Sequence, residues 1–180
     1  MRGLLRALAR CGAGVAMVEF AIAMPALFVL YIMSFVISDE ISCNRKVTVT
    51  ARTVADLTSR YASLTQSGLT TVMAASQQVM SPYTGGTTTV RVSELLVTSS
   101  TTATVVWSQT QTGSTTTQGL ANDSTVTLPA NLAATGTYLI LGEVTYLYQP
   151  IIGLGTTTTM TLYDKSYMSP RISNAIPLSS

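Results

Sequence analysis

The sequence predicts an α+β fold: a long N-terminal transmembrane helix continues into a helical stretch that packs on a small antiparallel β-sheet. Three observations predict it. An apolar run, Val15 to Ile37, lies near the start of the chain. Beyond it Val54, Leu57, Tyr61 and Leu64 recur at three- and four-residue steps, the period of an amphipathic helix. From Thr84 onward β-branched residues dominate, and polar and apolar positions alternate. A helical block followed by a strand block indicates segregated α+β architecture rather than alternating βα units.

The first element is long enough to cross a bilayer. Its 23 residues, VAMVEFAIAMPALFVLYIMSFVI, extend about 34 Å as a helix, against a hydrocarbon core of about 30 Å. A secretory signal has a shorter apolar region, about 7–15 residues, and ends in a small-residue cleavage site. Here Asp39-Glu40 follows instead. Arg2, Arg6 and Arg10 precede the run with no acid among them, which holds the N-terminus on the cytoplasmic side. Without residues 1–14 the ten basic residues fall to seven against eight acidic, a formal charge of −1. The basicity belongs to the leader, so no nucleic-acid partner is expected and the bilayer is.

Two residues interrupt the apolar run. Pro25 removes one backbone donor and predicts a mild kink that neighbouring groups resatisfy. Glu19 costs up to about 2.5–3.5 kcal/mol on insertion scales for charged residues at a helix centre, and less near a helix end, where the carboxylate reaches the interface.

Helical periodicity continues through Asn44 to Met80. A break is predicted at Thr65-Gln66-Ser67 and Gly68, then a second helix carrying Val72, Ala75 and Val79 and ending before Pro82. The composition then changes. Between Thr84 and Thr127, 21 of 44 residues are Ser or Thr, and only Arg91, Glu94 and Asp123 are charged. With almost no proline, strands explain this stretch better than a glycosylated stalk. Strands are predicted at Thr88–Thr98, Thr104–Gln111, Ser124–Leu128, Thr137–Tyr148 and Thr156–Tyr163, with Gly113–Asp123 an exposed loop and Trp107 on the packed face. Three to five strands are expected. The chain thus divides into a leader (1–14), a transmembrane helix (15–37), a helical region (38–82) and a Thr-rich antiparallel β domain (83–180).

Composition also narrows the chemistry. The 180 residues are 47% hydrophobic and 10% charged and contain no histidine, so few side chains titrate near neutral pH. Asp56, Glu94, Asp123, Glu143 and Asp164 are dispersed along the chain, without a nucleophile-base pair, metal-ligand cluster or phosphate loop. No catalytic residue, metal or cofactor is predicted, and the chain is not expected to be an enzyme. Cys11 and Cys43 flank the membrane segment on opposite sides and cannot pair with each other. Cys43 is expected as a partly buried reduced thiol, with an intermolecular disulfide as the alternative.

The segment Gly14-Val15-Ala16-Met17-Val18-Glu19-Phe20, directly after the basic leader, resembles a prepilin processing site. That resemblance implies cleavage after Gly14 by a prepilin peptidase of the inner membrane, with Val15 the new N-terminus and Glu19 the fifth residue of the mature chain. Val15 departs from the Phe or Met common there, which leaves N-methylation open. Gly12 is a poorer cut site, since it would place Glu19 seventh. Cleavage would create an ammonium at Val15, one helical turn from Glu19 and on the same face. In the family the Glu pairs with the N-terminal amine of a neighbouring subunit, which gives a carboxylate among packed helices its partner.

Further segments, Ala51-Arg52-Thr53-Val54-Ala55-Asp56-Leu57, Glu143-Val144-Thr145-Tyr146-Leu147-Tyr148-Gln149-Pro150 and Pro170-Arg171, resemble TadE-like pseudopilins of the tight-adherence (Flp) pilus system. The likeness runs from Gly12 to Arg171 and is thin through the Thr-rich middle. It implies a pilin-like fold, an inner-membrane location with the C-terminal domain periplasmic, and a role in pilus initiation or assembly. Its implied partners are other pilin or pseudopilin subunits and the inner-membrane assembly platform. The alternative is an uncleaved single-pass anchor carrying a periplasmic binding or adhesion domain, which would give no reason for Glu19 in fifth place.

Overall fold

A computed structural model describes residues 12–83, 86–150 and 159–179. The chain divides into two units, Met1–Glu40 and Ile41–Ser180. Helix α1 (Gly12–Ser59) belongs to both and runs through Pro25 without interruption.

In the first unit α1 is apolar all round. Val15, Phe20, Ile22, Leu27, Phe28, Tyr31, Phe35 and Ile37 are all exposed, and Glu19 is the one charged residue between Gly12 and Ser38. A helix apolar on every face belongs in a protein core or in lipid, and this one is long and apolar enough to cross a membrane.

The second unit is built on the remainder of α1. Cys43, Val47, Ala51, Val54 and Ala55 are fully buried along one face at three- and four-residue steps; of the expected positions Val54 belongs to this face and Leu57 packs against it partly buried. Burial of Val47 and Thr50 holds the β-branched run Val47-Thr48-Val49-Thr50 in the helix, where the hydroxyls bond back one turn, Thr48 to the Asn44 carbonyl and Thr50 to the Lys46 carbonyl. Burial of Cys43 means that an intermolecular disulfide would require this face to leave the core.

The helix ends earlier than the periodicity suggests. It stops at Ser59, whose carbonyl accepts from the Arg171 N–H (2.9 Å). Tyr61 is therefore outside the helix and exposed, and Leu64 lies instead in a short strand, β1 (Leu64–Thr65). Thr65 caps helix α2 (Gln66–Gln77) by accepting from the Gly68 N–H, so the predicted break at Thr65-Gln66-Ser67 is the first turn of the helix. Leu69, Val72 and Met73 bury its inner face.

Among the described residues the sheet has six strands, one more than the upper end expected: β2 (Thr88–Val97), β3 (Thr102–Thr112), β4 (Thr115–Gln118), β5 (Thr125–Thr127), β6 (Tyr138–Tyr148) and β7 (Met160–Met168). All pairings are antiparallel, in the order β4-β3-β2-β6-β7, with β5 also on β3. Strand β4 falls inside the predicted loop because it is held by ladder bonds alone and is mostly exposed, leaving no apolar alternation to read. β7 begins and ends later than expected; residues 156–158 lie outside those described. A final strand, β8 (Leu178–Ser179), pairs in parallel with β1.

Both sheet faces are covered, which is why TYLILGEVTYLY reads as nearly continuous apolar sequence. One face presents Val90, Val92, Trp107, Ile140, Val144 and Tyr146 to the core that includes Val47, Ala51 and Val54 of α1. The other presents Leu95, Val105, Leu139 and Leu141 to a second cluster with Leu128, against which Leu120, Val126 and Ala133 pack. Residues 41–82 and the β region thus share one core, although their compositions differ.

Candidate functional site

The predicted site residues Gly14, Val15, Glu19 and Phe20 all lie near the start of α1 in the first unit, and Val15, Glu19 and Phe20 are exposed. Val15 and Glu19 are one turn apart, about 6 Å along the axis, on one face. The Gly14–Val15 bond is itself helical, because α1 begins at Gly12. A protease, which takes its substrate extended, must unwind the helix at this bond. The arrangement places one exposed carboxylate on an otherwise apolar stretch of helix.

The second unit brings together charged residues that looked dispersed. Glu143 on β6 faces Arg91 on β2 and Lys165 on β7 across the ladders. Its Oε2 accepts from Arg91 Nε at 2.7 Å and its Oε1 from the Tyr163 hydroxyl at 2.5 Å. Burial pushes the Glu143 carboxyl up, but the hydrogen bonds from Arg91 and Tyr163, with the charges of Arg91 and Lys165, outweigh it and hold the group below the usual range. The Tyr163 hydroxyl is correspondingly held protonated, by burial and by its bond to Glu143. This network ties three strands together.

Asp56 pairs with Arg60 one turn on and with Arg171 beyond β7, so the Ala55-Asp56-Leu57 and Pro170-Arg171 segments meet. The partners are 115 residues apart in sequence, which hides the contact from any local pattern. Asp164 accepts from Thr48 Oγ1 at 2.5 Å.

Glu94 is 1% exposed on the helix-facing side of β2, paired in register with Trp107 and Ile140. Its Oε1 accepts from the Ile176 N–H at 2.5 Å, while Trp107 Nε1 donates to the Ile176 carbonyl at 2.8 Å. Burial raises the Glu94 carboxyl, and these polar neighbours only partly oppose it. An acid among apolar strand residues is the one mark of this site in the sequence.

With the folded value raised, the folded chain holds a proton that the unfolded chain has released above pH ~4.5, so Glu94 makes stability fall as pH rises from there through the raised value. Glu94→Gln keeps the acceptor and removes the charge. Its stability relative to wild type should rise between pH 4 and pH 8 in denaturant titrations followed by Trp107 fluorescence; a constant difference would show that Glu94 titrates normally.

Among the described residues no group of three or more His, Cys, Asp or Glu side chains converges as a metal site. Compared with protein families, curated proteins and solved structures, the chain matches none.

Proposed function

We propose that this chain is a minor pilin or pseudopilin of the tight-adherence type, anchored in the inner membrane by α1, cut after Gly14 and acting in pilus initiation or assembly. The observation that carries this reading is the lone carboxylate of Glu19, four residues after Val15 on a helix otherwise apolar from Gly12 to Ser38. A charge in that position is costly in lipid unless a cation answers it, and the Val15 amine of a neighbouring subunit is a cation that cleavage would make available. The meeting of Asp56 with Arg171 gives the two outer segments of the TadE-like resemblance a common structural role.

The uncleaved anchor with a periplasmic binding domain is the second reading, favoured by the helical state of the Gly14–Val15 bond. N-terminal sequencing of the membrane-extracted chain, from cells with an active prepilin peptidase, separates the two. A start at Val15 is expected, and an intact Met1 would rule out the processed form. Glu19→Ala should leave cleavage largely intact yet reduce assembled pili at least tenfold, counted by electron microscopy; normal piliation would remove the carboxylate from assembly.

A further inference from the structure

The two edges of the sheet are protected differently. On one side β3 is flanked by β4 and β5, of four and three residues, and short strands blunt an edge. On the other, β7 runs nine residues from Met160 to Met168. Which of its backbone groups face outward follows from β6. Leu147 N–H donates to the Thr87 carbonyl and Val97 N–H to the Thr137 carbonyl, so the odd-numbered residues of β6 bond β2 and the even-numbered ones bond β7. Even pairs with even across the β6–β7 ladder, as Val144 with Asp164. The backbone N–H and C=O groups of Thr161, Tyr163, Lys165 and Tyr167 therefore point away from the sheet, and among the described residues no strand pairs with them.

One of these outward groups is taken. Asp164 Oδ1 accepts the N–H of its own neighbour Lys165 at 2.8 Å, and Asp164 Oδ2 accepts from Thr48 of α1 at 2.5 Å. The carboxylate is thus fixed from the helix and caps the middle of the edge. We infer that Asp164 guards this edge: by holding the Lys165 N–H it keeps β7 from pairing with the β7 of a second copy. The second copy is the strand excluded because its edge carries the same groups at the same spacing, and each central register is closed. An antiparallel pair centred on Asp164 sets two aspartates opposite each other, and one centred on Lys165 sets two lysines. Centring on Tyr163 avoids like charges, but it pairs Thr161 with Lys165 and needs the Lys165 N–H of both copies, which Asp164 holds. Any assembly of this chain then joins its copies elsewhere than at β7. The inference does not depend on the pilus reading.

The third register supplies the test. It brings Tyr163 opposite its own copy at a Cα separation of about 5.5 Å, within disulfide reach. The full-length chain, with Cys11 and Cys43 replaced by alanine, carries Tyr163→Cys as reporter and is oxidised in detergent, where no bilayer fixes the relative orientation of two copies. Asp164→Ala should raise the disulfide-linked dimer at least tenfold above the chain that keeps Asp164. Asp164→Asn, whose carbonyl still accepts the N–H, should stay within about twofold of that chain. Adding Lys165→Pro to Asp164→Ala deletes the donor at a position where an edge strand tolerates proline, and should return the dimer to its starting level. Asp164→Val, which suits a strand and has no acceptor, serves in place of Asp164→Ala if that chain loses its cooperative unfolding by Trp107 fluorescence. A folded Asp164→Ala or Asp164→Val chain with no more dimer than the chain that keeps Asp164 would overturn the inference, as would an equal rise in Asp164→Asn.

Discussion

Replacing Gly142 with valine is expected to destabilise the Ile41–Ser180 unit by more than about 3 kcal/mol, and with alanine by about 1–3 kcal/mol. A Cβ at this position would stand 2.7 Å from the Ala51 carbonyl oxygen, 2.8 Å from Val54 Cγ1 and 3.1 Å from Ala55 Cβ. The first of these is helix backbone and cannot rotate away, so helix and sheet must separate or the strand must shift. Either movement loosens a core in which Val54 and Ala55 are fully buried. The single tryptophan, Trp107, sits in the same core and reports unfolding by its fluorescence. A Gly142→Ala chain within about 0.5 kcal/mol of wild type in a denaturant titration would contradict the close approach of α1 to β6.

The second large effect is at Glu143. Removing one partner of a buried ion pair costs about 3–5 kcal/mol, but the Arg91 side chain retains 32% exposure and water recovers part of its solvation. Glu143→Ala should therefore cost about 2–3 kcal/mol, which includes the lost Tyr163 bond. Arg91→Leu with Glu143→Leu should be less damaging than Glu143→Ala alone, since no charge is left behind. The pH dependence runs opposite to that of Glu94. Because the folded carboxyl lies below 4.5, its contribution is present above that pH and is lost as pH falls through the folded value. Glu143→Gln should flatten this acid limb, and an unchanged limb would assign acid sensitivity to another group.

The two carboxylates also show what strand patterning leaves open. Glu94 and Glu143 both occur in apolar strand sequence, and alternation alone suggests that neither should be buried. Register decides otherwise. A shift between Glu94 and Leu95 in the β2–β3 ladder sets Glu94 opposite Trp107 and Leu95 opposite Val105, leaving Glu94 beside the segment that needs an acceptor. Glu143 is placed by the β2–β6 and β6–β7 ladders opposite Arg91 and Lys165, residues 52 and 22 positions away in sequence. No local rule carries that information.

The sequence by itself determined the long apolar helix, its lone carboxylate, a helical continuation beyond it and the main strands β2, β3 and β6. These depend on hydrophobic period and chain length, both local properties. Only the tertiary structure decided where α1 stops, that β4 joins the sheet, and that Leu64 pairs with Leu178 rather than extending a helix. For the helix end and for Leu64 the deciding partner, the Arg171 N–H or the Leu178 backbone, lies far along the chain; β4 pairs with its neighbour β3 across a two-residue turn, and in all three cases backbone hydrogen bonds leave no trace in side-chain pattern.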